Sequence, residues 1–431
     1  MSKKSGSISR RRFLAASTAF SVPLIVPASV LGRGNSVAPS ERITFGSIGV
    51  GNRAKRVIPH FIQQEDVQYV AVSDCRADRL KAARRLVGGQ HGSEACRAYP
   101  DFRELLAQDD IDAVFIATGD RWHSLATSYA ARAGKDVYCE KPISLSLLEG
   151  RKMVETCQRY GTIYQAGHQR RSVDSYRFAS EVVQKGMIGN LQTVEMQVWR
   201  ANPIAHAREE PVPEGWDYDT WLGPTPWKPF VPAHVNGWNY FWDTGAGMIA
   251  AMGCHYTDLM QMTLQTDDTG PVEFEGQAKW PDPVKFYSDT PISGEVRCKY
   301  ANGVTGVMVQ RRQFNDRYIR YIGDEGWIQV DDATNRVTAE PESILSLRGV
   351  SSKSWSQTGG HIRNLLDSIR SRKPTVCAPE TAHRAMSICQ LMNICLRLGR
   401  KITWNPATEQ VVGDDEANRM LWRAPRSPWI V

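Results

Sequence analysis

A short apolar run, Ile43–Ile48, passes directly into Gly49-Val50-Gly51-Asn52-Arg53-Ala54, and this junction restricts the fold more than any other stretch of the chain. Gly49 permits a tight turn after a strand. Gly51 leaves room for backbone amides to approach a pyrophosphate, and Ala54 lets the following helix pack closely on the sheet. The N-terminus of that helix then favours the phosphates electrostatically. Asp74 stands at the end of the next apolar run, where a carboxylate receives the ribose hydroxyls of NAD. Two ordinary turn glycines and a surface Asp are the plainer alternative. The order strand, glycines, helix, strand, carboxylate argues against it. Arg76 is placed to receive a 2′-phosphate, so NAD is favoured and NADP stays open.

Residues 43–140 continue in the same rhythm. Strand-like runs at Ile43–Ile48, Tyr69–Ser73, Ala113–Ala117 and Val137–Cys139 alternate with helical stretches at Arg76–Leu86 and His123–Ala133. That alternation predicts βαβ units and a parallel sheet. From about Gly161 the pattern changes to runs that read as strands with few helices between them: Thr162–Ala166, Gln192–Trp199, Val272–Ala278, Gly294–Lys299, Val304–Arg311 and Tyr318–Ile322. Turn signals at Ala301-Asn302-Gly303 and at Gly323–Gly326 suit a mostly antiparallel sheet. Helices return at His361–Ser371 and Ala378–Leu398, and the tail from Gly413 reads as an extended surface strap. The expected fold is α/β, an N-terminal Rossmann domain followed by a C-terminal α/β domain with a large, open, mostly antiparallel sheet. The expected boundaries are 1–34 (leader and linker), 41–163 (nucleotide domain), 164–350 (substrate and oligomerisation domain) and 351–431 (helices and tail packing back on both).

The chain has 431 residues, enough for two packed cores. Its net charge of +7 is concentrated at the start. Lys3, Lys4, Arg10, Arg11, Arg12 and Arg33 precede the first acidic residue, Glu41, and removing those six charges leaves the remainder near +1. Phosphate neutralisation needs a clustered basic face, so nucleic acid is not an expected partner. Ser9-Arg10-Arg11-Arg12-Phe13-Leu14 followed by the apolar run Leu14–Val26 is a twin-arginine pattern, with small residues near Val26-Pro27-Ala28 for cleavage. It predicts export by the twin-arginine machinery to an extracytoplasmic or periplasmic location. The nine cysteines contain no C-x-x-C pair and are expected to be buried thiols. No His, Cys and carboxylate set has metal-ligand spacing, so no metal is expected. His60, His91 and His383 read as ordinary surface or helix residues.

Cys139-Glu140-Lys141-Pro142 follows the last strand of the first half, at the sheet edge where ligands bind. A lysine there can hold a substrate hydroxyl or help accept its proton. Gly49–Ala54, Asp74, Ala117-Thr118 followed by His123, and Glu140-Lys141-Pro142 together resemble the glucose–fructose oxidoreductase / inositol dehydrogenase / MocA family, in particular its exported branch. The likeness continues through Trp216–Pro229, Gly245–Asp258, His361–Pro374 and Gly413–Trp429. It implies that Gly49, Gly51, Asn52, Arg53, Asp74, Arg76, Thr118, His123, Glu140 and Lys141 hold the cofactor. It also implies that Lys141 contacts both cofactor and substrate, and that the open sheet forms a homodimer or homotetramer interface.

Members of this family carry an Asp four residues before a His on one helical face, with the His as general base. Here His255 is present and Ala251 occupies the Asp position. Asp258, one turn on, and Asp243, just upstream, are candidate substitutes, giving Lys141, His255 and Asp258 as the catalytic set. Trp221, Trp238 and Trp242, from an aromatic-rich loop also containing Trp216, Tyr218, Trp227, Tyr240 and Phe241, offer flat faces for a sugar ring, although most of these rings are better read as loop anchors. Gln169, Arg171, Asp243 and His255 complete the substrate candidates. The expected activity is hydride transfer between a tightly bound nicotinamide cofactor, NAD or NADP, and a hydroxyl of a sugar or polyol. A redox-neutral glycosidase, epimerase or lyase and an inert nucleotide-binding protein are the alternatives that Ala251 keeps open.

Overall fold

In this computed structural model, residues 37–91, 96–312, 316–349 and 360–429 are described. The twin-arginine segment, its cleavage region and the side chain of His91 lie outside them. The first half alternates β1 (Ile43–Ile48), α1 (Asn52–Ile62), β2 (Val67–Ser73), α2 (Ala77–His91), β3 (Arg97–Tyr99), α3 (Phe102–Leu106), β4 (Ala113–Ile116), α4 (Asp120–Arg132), β5 (Asp136–Cys139), α5 (Leu147–Tyr160) and β6 (Tyr164–Ala166). All six strands are parallel, in the order β3-β2-β1-β4-β5-β6. β4 and β5 are buried throughout, as parallel strands covered on both faces must be. The order reverses between β1 and β4, which opens a crevice at their carboxyl ends.

β6 belongs to this parallel sheet. The expectation that Thr162–Ala166 opens the second sheet is therefore corrected, because β6 pairs with β5 and adds the sixth strand. A three-residue strand has no alternation from which its partner can be read.

After a single 3-10 turn (Gln169–Ser172) and α6 (Asp174–Gln184), the chain builds β7 (Leu191–Trp199), then α7 (Tyr218–Leu222), α8 (Pro232–Asn236), α9 (Gly247–Ala251) and α10 (Gly253–Leu264). β8 (Glu273–Lys279), β9 (Ser293–Lys299), β10 (Thr305–Arg312), β11 (Tyr318–Gly323), β12 (Trp327–Asp331) and β13 (Val337–Glu340) follow. α11 (Gly360–Ser371), α12 (Pro379–Leu398), β14 (Ile402–Asn405), β15 (Gln410–Val411) and α13 (Asp415–Arg419) complete the described elements. The second sheet runs β13-β12-β11-β7-β10-β9-β8-β14-β15, antiparallel except where β7 meets β10. Both predicted turns join antiparallel neighbours.

α6, α10 and α12 pack on one face of this sheet. On the other face alternate side chains such as Thr193, Glu195, Arg297 and Val307 stay partly exposed. All nine cysteines are free thiols, eight of them buried. Among the described residues no helix is long and apolar enough to cross a membrane.

Candidate active site

The turn after β1 is built as its glycines require. Gly49 has φ +80°, and a Cβ there would lie 2.7 Å from the Thr118 backbone nitrogen at the end of β4. The amide of Val50 donates to Asp74 Oδ2 (2.9 Å), and that of Arg76 to Asp74 Oδ1 (3.0 Å). Asp74 therefore fastens the glycine turn to the β2 edge. Burial raises its pKa, against the pull of Arg79, whose Nη1 lies 4.0 Å away. Gly49, Gly51, Asn52, Arg53, Asp74, Arg76 and Thr118 line one cavity of about 390 Å³ together with Arg121, Trp221 and Trp238. The Arg76 side chain pairs with Asp78 (2.7 Å) and lies over the Trp216 ring, 4.2 Å from its centroid.

A larger cavity of about 1040 Å³ opens beside it, sharing Arg53, Thr118 and Trp238. Arg53 Nε pairs with Glu140 Oε1 (2.7 Å). The Gln169 amide, turned to satisfy both neighbours, donates to the Gly167 carbonyl (2.7 Å) and accepts from Arg53. His123 makes its Nδ1 contact with the Pro142 carbonyl (2.6 Å) and so braces the loop carrying Lys141. Burial pushes its pKa down to about 4.

Lys141 Nζ donates to the Ala251 carbonyl (2.6 Å). That carbonyl is available because the stretch from 247 to 264 is two helices, α9 and α10, interrupted at Met252 (φ −114°). The expectation of one continuous helix bearing position 251 and His255 on one face is thereby corrected. The break exposes a backbone acceptor, and the lysine takes it. His255 lines the same cavity. Burial drives its pKa well below the usual value, with the Arg170 charge adding to the effect, so its imidazole is neutral. Its Nδ1 has no hydrogen-bond partner among the described residues, and its ring meets His168 edge-on at 5.6 Å.

Five expected catalytic or substrate residues lie outside the larger cavity. Asp258 is fully buried and binds Arg171 Nε (2.8 Å), while Arg171 also holds Asp267 (2.6 Å). The pair is a core ion pair, so Arg171 does not face the cavity and Asp258 does not reach His255. Burial lifts Asp258 to about 6 even against Arg171. Asp243 pairs with Lys228 (2.8 Å) in a separate recess. Trp242 lines that recess too, held between Arg397 and Arg423. Trp221 stacks on Arg121 (3.9 Å) in the smaller cavity, away from the larger one, and only Trp238 of the three tryptophans touches both. His383 is a helix residue as expected, buried on α12 with Nε2 on Glu409 (2.8 Å).

Residues 43–168 match "Oxidoreductase family, NAD-binding Rossmann fold", and residues 181–431 match "Oxidoreductase family, C-terminal alpha/beta domain". The chain belongs to the glucose–fructose oxidoreductase / inositol dehydrogenase / MocA family. Among the family's curated proteins, myo-inositol 2-dehydrogenase of Thermotoga maritima is 31% identical over 34% of this chain and 42% of its own length. The chain thus spans under half the length of the first curated relatives it matches. A 1,5-anhydro-D-fructose reductase of Ensifer adhaerens is 23% identical over 72% of this chain and 81% of its own. Of solved family folds, the WlbA dehydrogenase of Bordetella pertussis, in complex with NADH and UDP-GlcNAcA, superposes with a TM-score of 0.67 at 18% identity, over 85% of this chain and 98% of the other.

The structure adds site residues that sequence reasoning missed. Asp120 opens α4 at the β4 carboxyl end, lines the larger cavity and, among the described residues, has no hydrogen-bond partner for Oδ2. Its burial raises the pKa well above the usual range although Lys141 and Arg121 oppose it. Its place between Thr118 and His123, at the sheet's ligand edge, was the available signal. Arg170, Arg317 and Asp332 line it as well, with Asp332 next to both arginines. These come from three separated segments, and no local spacing announces them. Among the described residues no group of His, Cys, Asp or Glu is placed to hold a metal.

Proposed function

We propose that the protein transfers a hydride between a tightly held NAD(H) and a hydroxyl of a sugar or polyol. The observation that carries the reading is that the two cavities share lining residues. The Asp74-fastened glycine turn lies in one, Lys141, His255 and Asp120 lie in the other, and Thr118 and Arg53 border both. The residues fit a dinucleotide. A Cβ at Gly49 would fill the close approach to Thr118, and the buried Asp120 Oδ2 has no hydrogen-bond partner among the described residues. Asn52 and the amides opening α1 would hold phosphates, and Asp74 the ribose. The Asp74 carboxylate and the engagement of Arg76 by Asp78 favour NAD over NADP. When bound, the nicotinamide supplies reversible hydride acceptance. The neutral His255 imidazole is suited to take the hydroxyl proton, and Lys141 to orient that oxygen.

Mass spectrometry of cofactor released on denaturation, followed by the change in nicotinamide absorbance on an aldose and polyol panel, tests this. Protein that carries no NAD and neither binds nor reduces it overturns the reading. Ala251, at the position where the sequence resemblance leads one to expect an Asp, favours one second reading, a redox-neutral glycosidase, epimerase or lyase. Cleavage of an aryl glycoside without net NADH would select it.

The reading extends to location and assembly. The twin-arginine pattern supports loading of the cofactor before export. Outside the cytoplasm no exchangeable pool is expected, so re-oxidation occurs in place through a second carbonyl substrate or a redox-neutral cycle. The helix-free face of the second sheet supports a homo-oligomer.

A further inference from the structure

Residues 215–223 belong to the second half of the chain, yet they are fastened to the nucleotide domain in two places. Just past β2, the Ala77 amide donates to the Gly215 carbonyl (2.9 Å) and the Asp217 amide to the Cys75 carbonyl (2.9 Å). In the first turn of α4, Trp122 Nε1 donates to the Thr220 carbonyl (2.9 Å) and Arg121 Nε to the Trp221 carbonyl (2.7 Å). β2 and β4 are the two neighbours of β1, so the ties follow both strands that flank the strand bearing the glycine turn. Residues 215–223 therefore form a bar joining those two flanks. Thr220 and Trp221 line the smaller cavity together with Gly49, Asp74 and Arg121.

A single helical turn has no stability of its own, so α7 depends on what surrounds it. Tyr218, Trp221, Leu222, Phe230 and Val235 make a small apolar core separate from the two larger ones, with Tyr218 stacked on Trp221 at 5.4 Å. Gly223 then brings the chain against α4. Its φ is +57°, and a Cβ there would lie 2.4 Å from the Trp122 ring.

The C-terminal tail holds the bar in turn. Arg426 Nη1 donates to Asp219 Oδ1 (2.7 Å), and Nη2 donates to the carbonyls of Gly223 (3.0 Å) and Asp219 (3.1 Å). The Arg426 amide donates to the Pro224 carbonyl (2.8 Å). One side chain thus serves carbonyls that the end of a short helix leaves without partners. Three residues on, the buried Trp429 ring packs edge-on against Trp122 at 4.8 Å, the same ring that ties the bar to α4. Lifting the bar from α4 breaks the Trp122 and Arg121 bonds and disturbs the Arg426 contacts with them, which makes it a cooperative local opening.

Resting on the NAD reading above, we propose that Arg426 and Trp429 are positioning residues that latch this bar, so that nucleotide leaves the smaller cavity only when bar and tail come away together. Retention then has a cause in the fold that involves neither Lys141 nor His255.

The test reads exchange of cofactor and not turnover. Full-length protein with its own nucleotide is mixed with isotope-labelled NAD, and uptake of label is followed by mass spectrometry. Wild type is expected to exchange over hours. Arg426→Ala and Trp429→Ala should each exchange about tenfold faster or more. Arg400→Ala, whose ion pairs are with Asp414 and Glu416, should keep the wild-type rate. Wild-type exchange within seconds, or one rate for all four proteins, overturns the latch and leaves the NAD reading intact. If neither latch variant folds, hydrogen exchange of the loaded wild type decides. Amides of 220–223 protected for as long as the nucleotide stays support the latch, and amides open within seconds overturn it. Protein that neither carries nor binds NAD overturns the latch together with the reading it rests on. NAD retained while no sugar reacts leaves the latch standing and removes the activity alone.

Discussion

At the scale of single residues, the site rests on a few atoms that have no substitute. Lys141 holds the Ala251 carbonyl at one end of its reach and the cavity at the other. Lys141→Met is expected to lower kcat by about 10²-fold or more while NAD stays bound, measured by single-turnover absorbance and cofactor content. Loss of cofactor together with activity would instead make the lysine a cofactor anchor. Gly49→Ala meets two obstacles at once, a left-handed φ costing roughly 1–2 kcal/mol and a clash with the Thr118 backbone. Its melting temperature and NAD occupancy should both fall. His234 shows the opposite case, a buried ring with neither nitrogen hydrogen-bonded among the described residues, edge-on to Phe241 at 4.2 Å. Burial depresses its pKa to about 4 from 6.5. The unfolded chain therefore binds the proton first as pH falls. His234 contributes no acid penalty above pH 6.5, and stability drains away between there and about 4. His234→Phe should gain on wild type by about 1.4 kcal/mol for each pH unit in that window, read from urea melts.

At the scale of elements, most of the fold was legible in the sequence. β1 falls where its apolar run predicts, and β2, β4, β5 and the long helices lie within a few residues of expectation, because buried parallel strands and amphipathic helices leave strong periodic marks. β12 to β15 were not foreseen. They are short, and their pairing depends on distant partners. The 3-10 turn Gln169–Ser172 shows the same limit at the site. Gln169 and Arg170 both line the larger cavity, Gln169 against Arg53, while Arg171 turns back to Asp258. Side-chain direction in a tight turn is set by tertiary contacts, and composition carries no trace of it. The glycine turn, Asp74 and the Glu140-Lys141-Pro142 segment were readable because each combines a backbone demand with a sheet edge. The break at Met252 was hidden, since Gly-Met-Ile-Ala-Ala-Met is an acceptable helical sequence.

At the scale of the whole molecule, the second sheet is the element with least to do in a lone chain. Its outer face carries ion pairs such as Arg311–Glu295 (2.6 Å) and Arg297–Glu295 (3.0 Å) among half-exposed β-branched residues. Light scattering after gel filtration should give a mass two or four times that of the chain, reduced by Val307→Lys on that face. A monomer at micromolar concentration would remove this face as an interface.

The double service of Asp74 has a consequence for anyone wishing to retune nucleotide choice. The oxygens that would meet a ribose are the same ones that pin the amides of Val50 and Arg76. Exchanging Asp74 for a small neutral residue to welcome a 2′-phosphate would therefore unfasten the turn that cradles the diphosphate. Such a variant should bind both nucleotides poorly until a new acceptor, for instance an Asn or Ser side chain, is supplied to the Val50 amide.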